Sequence, residues 1–183
     1  MISMINKNLI ERIKQEYTKR YGNLLKDKKL VRTTSLGYSG SAASDAVFGF
    51  FEKIKLGNFK SFADLGSGDG KIVLIASLFT NAVGIEIDDE LLAISKKMKT
   101  KLKLKKAEFI KADFLDDDQD ISKYDVLFIN PDNPMYEIEK KLRNEMGEKA
   151  RLVVCGGIYA PMNMKLDKSY TVDNVKFFVY RNE

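Results

Sequence analysis

Residues 62–71 read Phe-Ala-Asp-Leu-Gly-Ser-Gly-Asp-Gly-Lys. A short apolar run ends in a carboxylate, Asp64, and glycines follow at every second position, Gly66, Gly68 and Gly70. Glycine tolerates positive φ and lets a ligand lie against bare backbone. An apolar repeat at steps of three and four (Ile72, Ile75, Ala76, Phe79) begins at once, so the stretch predicts strand, tight turn and helix. The helix start brings unpaired N–H groups and a partial positive charge to the turn. An α/β sheet binds a nucleotide in this way, at the carboxyl end of its first strand. The spacing here is G-x-G-x-G, and the place where the dinucleotide fingerprint G-x-G-x-x-G has its last glycine is taken by Lys71. A carboxylate at Asp64 suits a cationic ligand and repels a pyrophosphate. Glu86 stands near the end of a second apolar run, 82–87, where an acid can take both hydroxyls of a ribose. The pattern predicts a ligand with an adenosine ribose and a positively charged tail rather than NAD.

Two further motifs follow, Lys111-Ala112-Asp113-Phe114 and Tyr124-Asp125-Val126-Leu127-Phe128-Ile129-Asn130-Pro131. With Asp64-x-Gly66-x-Gly68-x-Gly70 and Glu86 they stand in the order and near the spacings of a known family. Over about residues 40–155 the chain resembles the class I S-adenosylmethionine (SAM)-dependent methyltransferases. The resemblance implies an α/β, Rossmann-like, seven-stranded and mostly parallel sheet with helices on both faces and strand order 3-2-1-4-5-7-6. It implies SAM as cofactor, held by Asp64, Gly66, Ser67, Gly68, Gly70, Glu86, Ile87, Asp113, Phe114 and Asn130. Asp64 would hold the methionyl ammonium, Glu86 the ribose hydroxyls, and Asp113 with Phe114 the adenine, although Asp113 also reads as a turn acid. The catalytic segment is expected at Asn130, Pro131 and Asp132. Amino-group methyltransferases of nucleobases and glutamine carry Asn-Pro-Pro-Tyr there, and this chain has Asp132 and Asn133 in place of the last two residues. The tail is short for the family, a shortened C-terminal end similar to that of small archaeal-type protein-lysine methyltransferases. The expected reaction is methyl transfer to an amine, with protein lysine ahead of RNA and a small molecule. The non-enzyme alternative is a module that binds SAM without catalysis.

Composition narrows the chemistry further. The 183 residues suit one domain, 1–183, with 1–40 as an N-terminal helical extension and loop. There is no histidine and one cysteine, Cys155, which lies in an apolar run and reads as core. The commonest general base and metal ligand is therefore missing, and no metal is expected. One cysteine forms no internal disulfide, which fits a reducing, cytoplasmic setting. No apolar run reaches the length of a membrane span, so no membrane partner is expected. Net charge is +5, which permits an acidic or nucleic-acid partner without requiring one.

These groups need elements to carry them. Strands are expected at about 60–65, 82–87, 107–111, 125–130 and 150–155, with helices at 70–79 and from Asp88 onward. Asp88 caps a helix whose apolar positions are Leu91, Ile94, Met98 and Leu102. Seven lysines between 96 and 106 form either a solvated face or a phosphate-tracking patch. Residues 6–30 predict one or two basic amphipathic helices, with Gly22 as a possible break, acting as a lid or as a substrate-docking arm. Ser44 or Asp45 can cap the helix that follows, and Tyr38 in the loop before it is a candidate cofactor or substrate contact or an ordinary loop tyrosine. Asn133 caps and Pro134 starts a helix with the stripe Met135, Ile138, Leu142 and Met146, ended by Gly147. The residues after strand 150–155 are expected to form a loop and two strands, the last at 175–180.

Overall fold

A computed structural model describes residues 4–26, 40–131 and 136–182. Tyr38, Asp132, Asn133, Pro134 and Met135 lie outside these described residues. The elements run α1 (Met4–Lys26), α2 (Gly40–Lys53), β1 (Ser61–Leu65), α3 (Lys71–Ala76), β2 (Asn81–Glu86), α4 (Asp89–Leu102), β3 (Ala107–Lys111), β4 (Val126–Ile129), α5 (Tyr136–Glu145), β5 (Arg151–Cys155), β6 (Lys165–Val172) and β7 (Val175–Arg181). The seven strands form one sheet in the order β3-β2-β1-β4-β5-β7-β6, the expected class I topology. β1 to β5 are parallel, and β7 runs antiparallel between β5 and β6.

Period-two alternation sends the strand side chains to two cores. One face sends Phe62, Phe128, Val153 and Phe177 against α1, α2, α3 and the end of α4. Aromatic rings fill it: Phe50 stacks on Phe177 at 4.2 Å, and Phe51 meets Phe62 edge-on at 5.4 Å. The other face sends Leu65, Leu127, Leu152 and Val154 against Ile138 and Leu142 of α5, with Ile121, Tyr159 and Met164 beside them. Among the described residues no helix stands between β5 and β6, in line with a shortened C-terminal end.

Several local expectations are corrected. Gly22 does not break α1, which runs through it as one helix; a Cβ built there would meet nothing, so the position is tolerated by solvent. Ser44 and Asp45 are not caps, because α2 already starts at Gly40; Asp45 instead pairs with Lys14 of α1 at 2.9 Å. The stretch after Gly70 is helical only to Ala76 before it tightens into turns. Asp88 does cap α4, accepting from the N–H groups of Glu90 and Leu91. The buried stripe of α4 is Leu92, Ser95 and Leu102, however, with Leu91, Ile94 and Met98 half-buried. The rotation has a cause in the glycine turn: a Cβ on Gly70 would come within 2.5 Å of Ser95 Cβ, so the helix presents a small residue there.

Candidate active site

The carboxyl ends of β2, β1 and β4 lie side by side, and the strand order reverses between β1 and β4. A crevice at such a reversal is where open α/β sheets take ligands. Register brings Leu65 beside Ile85 and Ile129, so Glu86 and Asn130 each follow a strand that flanks β1. The Gly66 and Ser67 N–H groups both donate to the Ile85 carbonyl, which bends the turn over β2. Gly70 has φ of 85°, and a Cβ there would stand 2.7 Å from the Phe109 ring, so both conformation and space demand glycine. Gly68 also has positive φ, with open space where its Cβ would stand.

Glu86 is buried and ties the turn together. Its Oε2 accepts the Gly68 N–H at 2.7 Å and its Oε1 the Asp88 N–H at 2.9 Å. Each carboxylate oxygen keeps a further lone pair. Asp64 is only 3% exposed, and no described residue hydrogen-bonds its carboxylate. Burial, then Glu86, then Asp69 hold that carboxyl well above its usual range. The Ser67 hydroxyl is buried without a hydrogen-bond partner among the described residues. Ile87 is 61% exposed, an apolar surface directly after Glu86. Phe114 lies 3.5 Å from where a Gly66 Cβ would be. The Asp113 Oδ1 accepts the Leu115 N–H at 2.9 Å, so Asp113 is in part the turn acid that its surroundings suggested. Asn130 is half-buried and Pro131 buried at the end of β4. Cys155 is core, with its thiol pushed up to about 12 by burial first and by Asp64 second.

One set of contacts, around Asp69, goes beyond what the sequence motifs predict. The Tyr17 hydroxyl of α1 donates to the Asp69 carbonyl at 2.7 Å, and the Tyr21 hydroxyl to Asp69 Oδ2 at 2.9 Å. Arg20 Nε stands 3.6 Å from the same oxygen. Lys71 is buried beneath them, its Nζ 5.3 Å from the centre of the Tyr21 ring. Burial lowers the Lys71 ammonium and Asp69 partly restores it. The signal available in sequence was the Tyr17–Tyr21 spacing, one helical turn apart on a helix rich in cations.

The family model of the ANTKMT methyltransferase domain matches residues 64–156, just over half of the chain. The chain belongs to this ANTKMT methyltransferase domain family. It is a class I SAM-dependent methyltransferase, and the matched span runs from Asp64 to the turn after β5. Solved structures share the fold. An RNA methyltransferase from Salinibacter ruber, in complex with S-adenosyl-L-homocysteine, is 23% identical with a TM-score of 0.62, over 75% of this chain and 90% of that one. The putative methyltransferase yhhF from Escherichia coli is 19% identical with a TM-score of 0.58, over 75% and 82%. A SAM-dependent methyltransferase from Aquifex aeolicus is 15% identical with a TM-score of 0.58, over 74% and 88%. No curated protein matches the chain.

The donor set of this methyltransferase fits its cofactor. A buried carboxylate with no hydrogen-bond partner among the described residues suits a cationic amino group. A second carboxylate with spare lone pairs suits a ribose diol. The open side of Gly68 and the exposed Ile87 leave room for a nucleoside. Among the described residues no cluster of His, Cys, Asp or Glu could hold a metal, and no helix is long and apolar enough to cross a membrane.

Proposed function

We propose that this methyltransferase transfers the SAM methyl group to a protein amine, the side chain of lysine. One observation carries the acceptor class. The segments at the carboxyl ends of β1, β2 and β3 (64–70, 84–95 and 112–118) hold two, four and four carboxylates and no lysine or arginine, and Lys111 at the end of β3 pairs with Asp89. An acidic rim raises the local concentration of a cationic acceptor and opposes a phosphate chain. The matched family's methyltransferase domain agrees with this reading.

The assignments follow from the donor set. Asp64 holds the methionyl ammonium, and Glu86 holds the ribose hydroxyls while bracing the turn through Gly68. Ile87 and Phe114 cover the adenine faces, and the free oxygen of Asp113 meets its amino group. Ser67 and the backbone of Gly66 to Gly70 line the methionine and ribose. The bound cofactor supplies an activated sulfonium methyl, so the protein's share is alignment and exclusion of water. Alignment of this kind is worth roughly 7–11 kcal/mol in favourable cases. Asn130 and the Pro131 carbonyl orient the acceptor amine at the end of β4. With no histidine in the chain, the lysine proton leaves to solvent or to a rim carboxylate before attack.

The test is labelled methyl transfer from SAM into a lysine-rich basic protein and into total RNA in parallel. Label recovered as methyl-lysine after acid hydrolysis, and absent from RNA, is expected. Label that is destroyed by ribonuclease and survives protease would move the acceptor to RNA.

A further inference from the structure

We propose that the opposite end of the sheet docks the phosphate backbone of a double-stranded nucleic acid. This inference goes beyond the acceptor reading and does not depend on it. The loops that lead into β3, β1, β4 and β5 lie along the amino ends of the parallel strands, with the lysine-free loop into β2 between the first two. They carry Lys103, Lys105, Lys106, Lys60, Lys123 and Lys149, all exposed. None of the six forms an ion pair with a described residue.

Hydrogen bonds hold these loops in a row. The Ala82 N–H donates to the Lys106 carbonyl at 2.9 Å, which joins the loop before β3 to the start of β2. The Ser61 hydroxyl donates to the Lys123 carbonyl at 3.0 Å, which joins β1 to the loop before β4. The Arg151 N–H donates to the Asp125 carbonyl at 2.9 Å, which adds the loop before β5. Leu102 and Leu104 are buried, so the alternation turns Lys103 and Lys105 outward. The acids in loops 57–60, 103–106, 122–125 and 147–150 are Asp125 and Glu148. The Asp125 carboxylate is turned inward onto the Lys60 and Ser61 N–H groups, at 2.6 and 3.2 Å. From the surface Glu148 opposes the row, and Asp120 and Glu108 stand at its margin near Lys123 and Tyr124.

Five strands at about 4.8 Å spacing make the row about 19 Å long. Each duplex strand presents a phosphate about every 3.4 Å of helix axis, so a row laid along the axis spans on the order of five phosphates of one strand. The residue types on the surface favour the duplex. Its loops offer no exposed aromatic for base stacking: Tyr124 is buried and Phe59 packs on the core. They offer no exposed large apolar residue for insertion into lipid either, since Ile87, Tyr136, Ile158, Met162 and Leu166 all lie elsewhere. The acidic catalytic rim points away from the docked backbone and stays open.

The experiment is fluorescence anisotropy of a short labelled RNA duplex titrated with the full chain at increasing salt. The expected result is binding at low salt whose log–log salt slope is about −4. The triple variant Lys60→Gln, Lys106→Gln, Lys123→Gln should lose at least tenfold in affinity, while the corresponding triple arginine variant retains it. Each single glutamine variant should lower the slope by about one, which keeps the test decisive if the triple variant misfolds. SAM titration of every variant checks the fold, since these positions are remote from the cofactor turn. The proposal is overturned by no binding at low salt, or by glutamine variants that bind the duplex unchanged. Tighter binding to phosphatidylserine vesicles or to a single strand than to the duplex would also overturn it.

Discussion

At the scale of single residues, the fold buries the Asp64 carboxylate without a hydrogen-bond partner among the described residues. Its folded pKa is raised above the unfolded value near 3.8 by burial first. The sign follows from linkage: stability is complete below the unfolded value and is lost as pH rises through the folded one. Asp64→Asn should therefore raise the melting temperature of the cofactor-free protein at neutral pH and flatten its dependence on pH above 4 or so. It should also weaken SAM binding at least tenfold, about 1.4 kcal/mol. A variant that melts lower and binds SAM normally would contradict this role. Gly70→Ala meets both a left-handed φ and the Phe109 ring. It should cost about 3 kcal/mol, read as a lower urea midpoint. Gly68→Ala has open space and should cost only the backbone strain, about 1 kcal/mol. The order of these two costs tests whether Gly70 is the packing glycine.

At the scale of elements, the glycine turn is held from both sides: by Glu86 of β2 beneath it and by Tyr17 and Tyr21 of α1 above it. The second support means α1 acts on the cofactor turn although it lies in a different part of the chain. Tyr21→Phe removes a hydrogen bond to a carboxylate, worth about 1.5–3 kcal/mol. It should raise KM for SAM several-fold and leave kcat unchanged. Equal losses in kcat and kcat/KM would place Tyr21 in the chemical step instead. Sequence pattern located most of these elements because their signals are local. Asp88 followed by an apolar repeat marks a capped helix, and the run 126–129 marks a strand buried on both faces. The α1 latch was illegible because Tyr17 reads as an apolar position at helical spacing. Its partner is a carbonyl 52 residues away, and nothing local encodes that pairing. The α4 stripe was misplaced for a related reason, since Ser95 is small and polar yet faces the close approach of Gly70.

At the scale of the whole molecule, charge is divided between the two ends of the sheet. Carboxylates surround the catalytic edge, and lysines 96–106 belong to the helix end and loop that lead into β3 at the other edge. The sequence shows both runs plainly but not their separation, which only the parallel topology creates. Screening makes this division measurable. The kcat/KM for a lysine-rich acceptor peptide should fall by roughly tenfold between low salt and physiological ionic strength, with kcat little changed. A flat or rising dependence would argue against electrostatic capture of a cationic acceptor. The tail was legible as two strands without a helix, because 156–164 lacks any helical repeat and 175–180 is dense in β-branched and aromatic residues.

The most direct measurement of the central claim, that the carboxyl edge of β1 and β2 is built for SAM, is calorimetric titration of SAM with NAD as control. The same titration is run on Glu86→Ala. Binding of SAM but not NAD, weakened at least tenfold in the variant with its fold intact, is the predicted result. Binding of NAD with no response to SAM, or SAM binding that Glu86→Ala leaves unchanged, would contradict it.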